Sequence, residues 1–145
     1  MGYTHYWRQE GDAIPAEAWA KIMADTKRLI KAAGESQITL WHDYDEPGTA
    51  PEVTNENIWF NGADDNGHET FELVPGPADF TFCKTAYKPY DRVVCAILAI
   101  AKEHAGDAIV VTSDGEKSDW KPALEWASTV LGRPVAFPVK KSIRI

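Results

Sequence analysis

The sequence contains few of the residues that stabilise small proteins through disulfide bonds or bound metal ions. It has two cysteines, Cys83 and Cys95, among 145 residues, which excludes a disulfide framework and favours a reducing compartment. No zinc-ligand spacing, glycine-rich phosphate loop, dinucleotide fingerprint or Gly-x-Ser-x-Gly elbow occurs. The length suits one domain that its own core can stabilise. We therefore expect a single domain over residues 1–145 that carries no cofactor.

Long apolar runs and an excess of positive charge are also missing. No stretch is long enough to span a bilayer, and the first residues lack the charged and apolar regions of a secretory leader. These absences predict a cytoplasmic protein with no membrane partner. The net charge of −7 repels phosphate backbones and disfavours general nucleic-acid binding. A local basic group remains able to bind a small anion.

The hydrophobic patterning alternates between strand and helix periods. Apolar residues at helical spacing predict helices that run from Pro15 to Gly34, from Pro89 onward and from Asp119 to Leu131. Runs rich in β-branched and aromatic residues predict strands at 3–8, 37–41, 58–61, 68–73, 80–83, 108–112 and, at an edge, 135–139. The segments 58–61 and 68–73 are expected to form a hairpin. We predict an α/β or α+β fold with a mixed sheet and three helices.

Three of these strands, 3–8, 80–83 and 108–112, each lead into a helix. If they run parallel, their carboxyl ends meet at one edge of the sheet, where α/β proteins bind ligands. Helix N-termini gather at the same edge and offer N–H groups to an anion. The residues at these strand ends are Arg8, then Cys83, Lys84 and Thr85, and then Ser113, Asp114 and Gly115.

Each candidate residue has a structural alternative. Lys84 either pairs with a phosphate or is solvated. Asp91 is either a base or hydroxyl acceptor for a ligand, or a complement to a helix dipole. Asp114 precedes Gly115 in a common turn pair, and Tyr90 either stacks on a base or belongs to the core. His5 shares one strand face with Tyr3 and Trp7, whereas Thr4, Tyr6 and Arg8 share the other.

The segment 42–54 is long for a loop in a small domain, which indicates a mobile or functional segment. Its residues His42, Asp43, Asp45 and Glu46 resemble a cluster for a hard metal, but their spacing matches no EF-hand and no zinc site. We therefore expect no metal there. Cys83 is either a nucleophile that needs a nearby histidine or a buried apolar residue.

Four segments resemble an uncharacterised family of small proteins from tailed phages and bacteria. They are Gly2-Tyr3-Thr4-His5-Tyr6-Trp7, Phe60-Asn61-Gly62, Phe82-Cys83-Lys84-Thr85 with Lys88-Pro89-Tyr90-Asp91, and Ser113-Asp114-Gly115. The resemblance implies a phage-associated protein of the host cytoplasm. It supplies no activity and no ligand. It also suggests that a nucleotide-type ligand would be a signal of host defence, which the protein would sequester.

Three functions remain open from the sequence. The first is the binding of a small anionic, nucleotide-type ligand by residues from the strand ends and the resembling segments: Tyr3, His5, Tyr6, Asn61, Lys84, Thr85, Tyr90, Asp91, Ser113 and Asp114. The second is a hydrolase or phosphodiesterase for such a ligand, with His5 as the acid or base. The third is a host-protein inhibitor that uses Trp41 and Tyr44 of the long loop. A homo-oligomer through the C-terminal edge strand is a further expectation.

Overall fold

The computed structural model describes residues 3–9, 13–43 and 46–139. Its helices are α1 (Ala16–Glu35), α2 (Asp91–Ala105) and α3 (Lys117–Leu131). Its strands are β1 (Thr4–Gln9), β2 (Leu40–Trp41), β3 (Glu52–Val53), β4 (Ile58–Gly62), β5 (Phe71–Leu73), β6 (Ala78–Lys84) and β7 (Ile109–Ser113). The α/β class with three helices is confirmed. No helix in these ranges is long and apolar enough to cross a membrane.

The strands form two sheets with antiparallel ladders rather than one mixed sheet. In the first sheet β1 lies between β6 and β7, and in the second β4 pairs with β2, β3 and β5. The β4–β5 pair confirms the expected hairpin. The expected strand at 135–139 is wrong, because only Val139 forms a single parallel bridge, to Val111. Pro138 lacks the N–H group that a continuous ladder needs.

Helix α2 lies at the centre of the hydrophobic core. Its residues 93–101 are all buried, and it packs against α1, α3 and β7. A helix that is apolar all round is stable only when other elements enclose it. The one acidic residue of its first turn, Asp91, is therefore held at the end of the most enclosed element of the fold.

The helix ends depart from the sequence expectation in two places. Helix α1 continues through Gly34 to Glu35, since the glycine lies in the last turn rather than after it. Helix α3 begins two residues before Asp119, because Glu116 and Asp119 form a reciprocal capping box. Gly132 ends α3 in the left-handed conformation with φ 73°, as expected for a glycine C-cap.

The order of the first sheet determines where the candidate site lies. Because β1 runs antiparallel to both neighbours, its amino end lies beside the carboxyl ends of β6 and β7. His5 is directly opposite Cys83 on one side and Ser113 on the other. The expected convergence of strand ends therefore occurs, but with the start of β1 rather than its end. Arg8, expected at the same edge, lies toward the opposite one.

An ion cluster joins the three helices on another side of the molecule. Arg133, which follows α3, contacts Asp25 of α1 at 2.6 Å and Glu103 of α2 at 2.7 Å. His104 Nε2 is 2.6 Å from the same Asp25 oxygen. The ligand atoms of Asp25, Glu103 and His104 are close enough together to hold a metal. The guanidinium of Arg133 already pairs with both carboxylates, so we interpret the cluster as structural.

Candidate functional site

The centre of the site is the imidazole ring of His5. The side chain is 0% exposed, and both of its nitrogens are engaged: Nδ1 lies 2.7 Å from Ser113 Oγ and Nε2 lies 2.7 Å from Asp91 Oδ1. The rings of Tyr3 and Trp120 pack edge-on around it, each with its centroid 4.9 Å from the imidazole centroid. We define the His5 cluster as His5, Thr85, Asp91, Cys95 and Ser113.

The direction of the hydrogen bonds in the His5 cluster follows from Ser113. Its Oγ accepts the backbone N–H of Gly115 at 2.9 Å and the indole N–H of Trp120 at 3.1 Å. A hydroxyl oxygen has two lone pairs, so both are used and the hydroxyl proton must be donated to His5 Nδ1. Neutral His5 then carries its own proton on Nε2 and donates it to Asp91. Each group thus donates a hydrogen bond to the next, Ser113 to His5 and His5 to Asp91.

Asp91 receives further donors that hold its carboxylate in place. Thr85 Oγ1 donates to Asp91 Oδ1 at 2.6 Å, and the thiol of Cys95 contacts Oδ2 at 3.6 Å. Burial, followed by the nearby charge of Asp91, raises the pKa of the Cys95 thiol well above its ordinary value. Cys95 is therefore a neutral thiol and not an activated nucleophile. The Asp91 side chain is 17% exposed, so it connects the buried His5 to the surface.

Three atoms of the His5 cluster have the spacing of metal ligands. A nitrogen of His5, a carboxylate oxygen of Asp91 and Sγ of Cys95 lie within 4.8 Å of one another. A metal on Nε2 would move the imidazole proton to Nδ1. Nδ1 faces an oxygen whose two lone pairs are already occupied, so the hydrogen bonding opposes a metal at His5.

Tyr3 closes the His5 cluster on the side of the β7–α3 turn. Its hydroxyl is buried and has no hydrogen-bond partner among the described residues. Burial, followed by the charge of Asp91, raises the pKa of the Tyr3 phenol, so the group stays a neutral donor. Gly115 is required here, because a Cβ at this position would overlap the Tyr3 ring.

Tyr87 covers Tyr3 from outside. The two rings are stacked, with centroids 3.8 Å apart and an interplanar angle of 17°, and Tyr87 is 64% exposed. Ala86 and Tyr87 both have positive φ, 52° and 61°. Such a conformation costs an L-residue about 1 kcal/mol or more. The backbone therefore holds the Tyr87 ring in a position that an unconstrained chain would not choose.

A surface cleft of about 190 Å³ opens beside Tyr87, between the start of α2 and the first turns of α3. We call it the α2–α3 cleft. It contains two cations, two carboxylates and one aromatic ring on otherwise apolar walls, and its lining is Tyr87, Lys88, Pro89, Asp91, Arg92, Asp119, Pro122 and Ala123. Asp91 belongs both to the cleft and to the His5 cluster. A group bound in the cleft is thus in contact with the buried chain of hydrogen bonds.

Five of the ten residues expected at the site meet around His5: Tyr3, His5, Thr85, Asp91 and Ser113. A sixth, Asp114, lies next to them and is exposed. Its backbone N–H donates to the carbonyl of Thr4 and its carboxylate accepts the Thr4 N–H, each at 3.0 Å. Asp114 therefore fixes the start of β1, and it does not line the cleft described above.

Lys84 and Tyr90 lie close to the His5 cluster but do not join it. Lys84 pairs with Thr4 and so lies on the face of the sheet opposite to that of His5 and Cys83. The backbone N–H of Lys84 donates to the carboxylate of Glu69 at 2.7 Å. The buried Tyr90 donates its hydroxyl to the Glu69 carbonyl at 2.5 Å. Tyr90 also contacts Cys83, whose thiol pKa burial raises to about 12. Because Tyr90 and Cys83 are fully buried, neither is available to stack on a ligand or attack one.

Two expected residues lie away from the others. Tyr6 lies on the opposite face of β1, where it stacks on Phe80 with ring centroids 5.9 Å apart. Asn61 is buried in the second sheet, where its amide donates to the carbonyl of His68 and accepts the N–H groups of His68 and Gly62. Asn61 organises the hairpin turn and has a structural role.

The long loop gives neither a metal site nor an exposed aromatic face in the described residues. His42 stacks on Trp59 and lies 3.5 Å from Glu52 and 3.7 Å from Glu46. Trp41 is half-buried in β2. Tyr44 and Asp45 lie outside the described residues. The segment also contains β3, which the sequence pattern missed.

Sequence reasoning missed several residues of the site: Tyr87, Arg92, Cys95, Asp119 and Trp120. A signal existed for Cys95, since it lies four residues after Asp91 and therefore on the same face of α2. Trp120 follows the capping box of α3, and only the tertiary fold places its indole N–H against Ser113. Comparisons of the chain with protein-family models, with curated proteins and with solved structures find no match.

Proposed function

We propose that the protein binds a small anionic, nucleotide-type ligand in the α2–α3 cleft. The observation that carries this proposal is the joint presence there of an aromatic ring, two cations and two carboxylates, one of which is held by the His5 cluster. Such a set of groups can recognise each part of a nucleotide. Preorganised groups bind more tightly, because less conformational freedom is lost on binding.

Each part of the ligand has a counterpart in the cleft. The exposed face of Tyr87 extends the Tyr3–Tyr87 stack and can take a planar base. Lys88 and Arg92 line the cleft and would receive the phosphate, the role that the sequence suggested for Lys84. The carboxylates of Asp91 and Asp119 would accept hydrogen bonds from ribose hydroxyls.

A larger recess of about 440 Å³ adjoins Lys88 but suits an anion less well. Its lining includes three carboxylates, those of Asp64, Asp65 and Glu69, which repel phosphate. The α2–α3 cleft balances its two carboxylates with two cations. The resemblance to phage proteins adds a biological setting, in which the ligand would be a nucleotide signal of host defence that the protein sequesters.

The proposal is tested by thermal shift of the pure protein with nucleotides, cyclic nucleotides and cyclic ADP-ribose isomers. A ligand at a hundred times its Kd should stabilise the fold by about 2.7 kcal/mol. Lys88→Ala should weaken the shift, whereas the control Lys121→Ala on the exposed side of α3 should leave it unchanged. Absence of a shift with every compound would overturn the proposal and favour a protein partner.

A hydrolase for the same ligand is the second candidate, and the Ser113–His5–Asp91 chain of hydrogen bonds favours it. In Ser–His–Asp enzymes one imidazole nitrogen faces the hydroxyl and the other faces the carboxylate, as in this chain. Two observations limit the likeness. His5 is fully buried, and both lone pairs of Ser113 Oγ are engaged. Asp91 would therefore be the residue that receives a proton from an attacking water.

Mass analysis of the bound compound separates the two candidates. A ligand recovered unchanged after prolonged incubation supports binding alone. A ligand recovered as products supports the hydrolase, and Asp91→Asn should then abolish turnover while the base and phosphate contacts remain. Turnover that survives Asp91→Asn would contradict the assignment of the proton acceptor.

A further inference from the structure

The outer face of the first sheet carries an aromatic cluster that the cleft does not use. Phe80 and Phe82 are 65% and 51% exposed, and their ring centroids are 5.7 Å apart. Tyr6 of the neighbouring strand stacks on Phe80. We call these three residues the aromatic face. Because exposed large apolar side chains that cluster mark interaction surfaces, this face is a candidate surface for a partner.

The strand that carries these phenylalanines is an edge strand with unused hydrogen-bonding groups. In the first sheet β6 pairs with β1 alone. The N–H and C=O groups of Lys84 both point away from β1, since they bond to Glu69 at 2.7 and 3.2 Å. Backbone direction repeats every second residue in an antiparallel pair. The same groups of Phe82 therefore point outward. The β1–β6 ladder shifts register between Trp7 and Gln9, but the Phe80 ring still lies on the face of Tyr6 and Phe82, which places the shift at Ala78 and Asp79 and leaves the groups of Phe80 pointing outward as well. No partner outside the β1 ladder receives the groups of Phe80 and Phe82 among the described residues.

We propose that β6 pairs with β6 of a second copy of this chain, in antiparallel orientation about a two-fold axis. The two copies then form one six-stranded sheet with the order β7-β1-β6-β6-β1-β7. Phe80 of one copy lies opposite Phe82 of the other, so outward-pointing donors meet outward-pointing acceptors. The site expected for self-association was the C-terminal segment, but Val139 already bridges β7 there.

A second copy is the occupant that the charges of β6 favour. The strand has Asp79 near its start and Lys84 at its end, and antiparallel pairing brings the acidic end of one strand beside the basic end of the other. An isologous interface needs only one self-complementary surface. Two phenylalanines that are about half exposed supply only part of the roughly 800 Å² per partner that a stable interface buries. The dimer should therefore dissociate on dilution.

Sedimentation velocity over a wide range of protein concentrations tests the proposal. The mass should rise from 16.1 kDa to twice that value as the concentration increases. Phe82→Lys should keep the protein monomeric with an unchanged melting temperature, because the side chain is exposed. The control Thr112→Lys places the same charge on the same face at the opposite edge strand and should still dimerise.

Two further results decide how the copies meet. In Phe82→Pro the lost N–H points away from β1, so the fold should persist while the dimer is lost. Amide hydrogen exchange at Phe80 and Phe82 should slow as the concentration rises, whereas exchange at Thr81 should not change. A protein that stays monomeric at all concentrations, or a dimer that survives Phe82→Lys, would overturn the proposal.

Discussion

The hydroxyl of Ser113 donates to Nδ1 of His5 across 2.7 Å, although 108 residues separate them in the chain. The direction of this bond is imposed by Gly115 and Trp120, whose N–H groups occupy both lone pairs of the same oxygen. Ser113 thereby ties together the central strand, the turn after β7 and the start of α3. Ser113 therefore has a structural role in addition to being a candidate residue of the functional site.

Replacing Ser113 by alanine should therefore cost stability. The change leaves His5 Nδ1 and the N–H groups of Gly115 and Trp120 without partners in a poorly hydrated region. We expect a loss of roughly 1–3 kcal/mol in the free energy of unfolding, measured by urea denaturation. The control Thr112→Ala, at the exposed neighbouring position, should cost less. Equal losses for the two variants would show that the Ser113 bonds contribute nothing.

Removing the hydroxyl of Tyr3 should have the opposite outcome from removing that of Tyr90. Tyr3→Phe deletes a buried group that has no described partner, so stability should be unchanged or higher. Tyr90→Phe deletes a bond to the Glu69 carbonyl and should cost about 1 kcal/mol. Chemical denaturation of the two variants under one condition provides the measurement. A clear loss in Tyr3→Phe would mean that the hydroxyl has a structural partner.

The two glycines at positions 115 and 34 should respond oppositely to alanine. At Gly115 the new methyl group would overlap the Tyr3 ring, whereas at Gly34 it would meet nothing within 4 Å. Gly34 lies within α1, where alanine is favoured over glycine by roughly 0.5–1 kcal/mol. We expect Gly115→Ala to lower the melting temperature and Gly34→Ala to raise it. A neutral Gly115→Ala would show that the turn can move away from Tyr3.

The ion cluster around Asp25 should contribute to stability in acid. Burial opposes the charged carboxylate, but hydrogen bonds from Arg133 and His104 outweigh it and hold the pKa of Asp25 below its ordinary value of 3.8. A lowered folded pKa gives stability that is present above about pH 4 and is lost as the pH falls through the folded value. Asp25→Asn should flatten this part of the stability profile, measured by urea denaturation across acidic pH. The exposed control Asp107→Asn should leave the slope intact.

The sequence pattern predicted the helices better than the sheets. Helical periodicity placed all three helices within a few residues, because a buried stripe is a local property of the chain. The direction of a strand relative to its neighbours is not a local property, because side chains alternate between the two faces in the same way in parallel and in antiparallel strands. The parallel arrangement expected for β1 was therefore wrong, although Lys84, Ser113 and His5 still lie at one edge.

Several assignments at the site were limited in a similar way. Alternation along β1 places Tyr6 on the face opposite Tyr3 and His5, so the pattern itself does not support a common site for the three residues. Asn61 was chosen from a resemblance, and its bonds to the hairpin turn depend on a loop conformation that residue spacing does not encode. The contact of Trp120 with Ser113 arises only when α3 packs beside β7.

The central position of β1 has a consequence for the order of folding. This strand leaves the ribosome well before both of its neighbours, which are encoded far downstream, and His5 reaches Asp91 over 86 residues. Contacts of such long range form slowly, because the intervening chain must be ordered first. The His5 cluster therefore has no co-translational precursor, and it appears only after synthesis has passed Ser113. Until then the aromatic residues of β1 are unpaired, and this is the period in which the nascent chain is most exposed to aggregation.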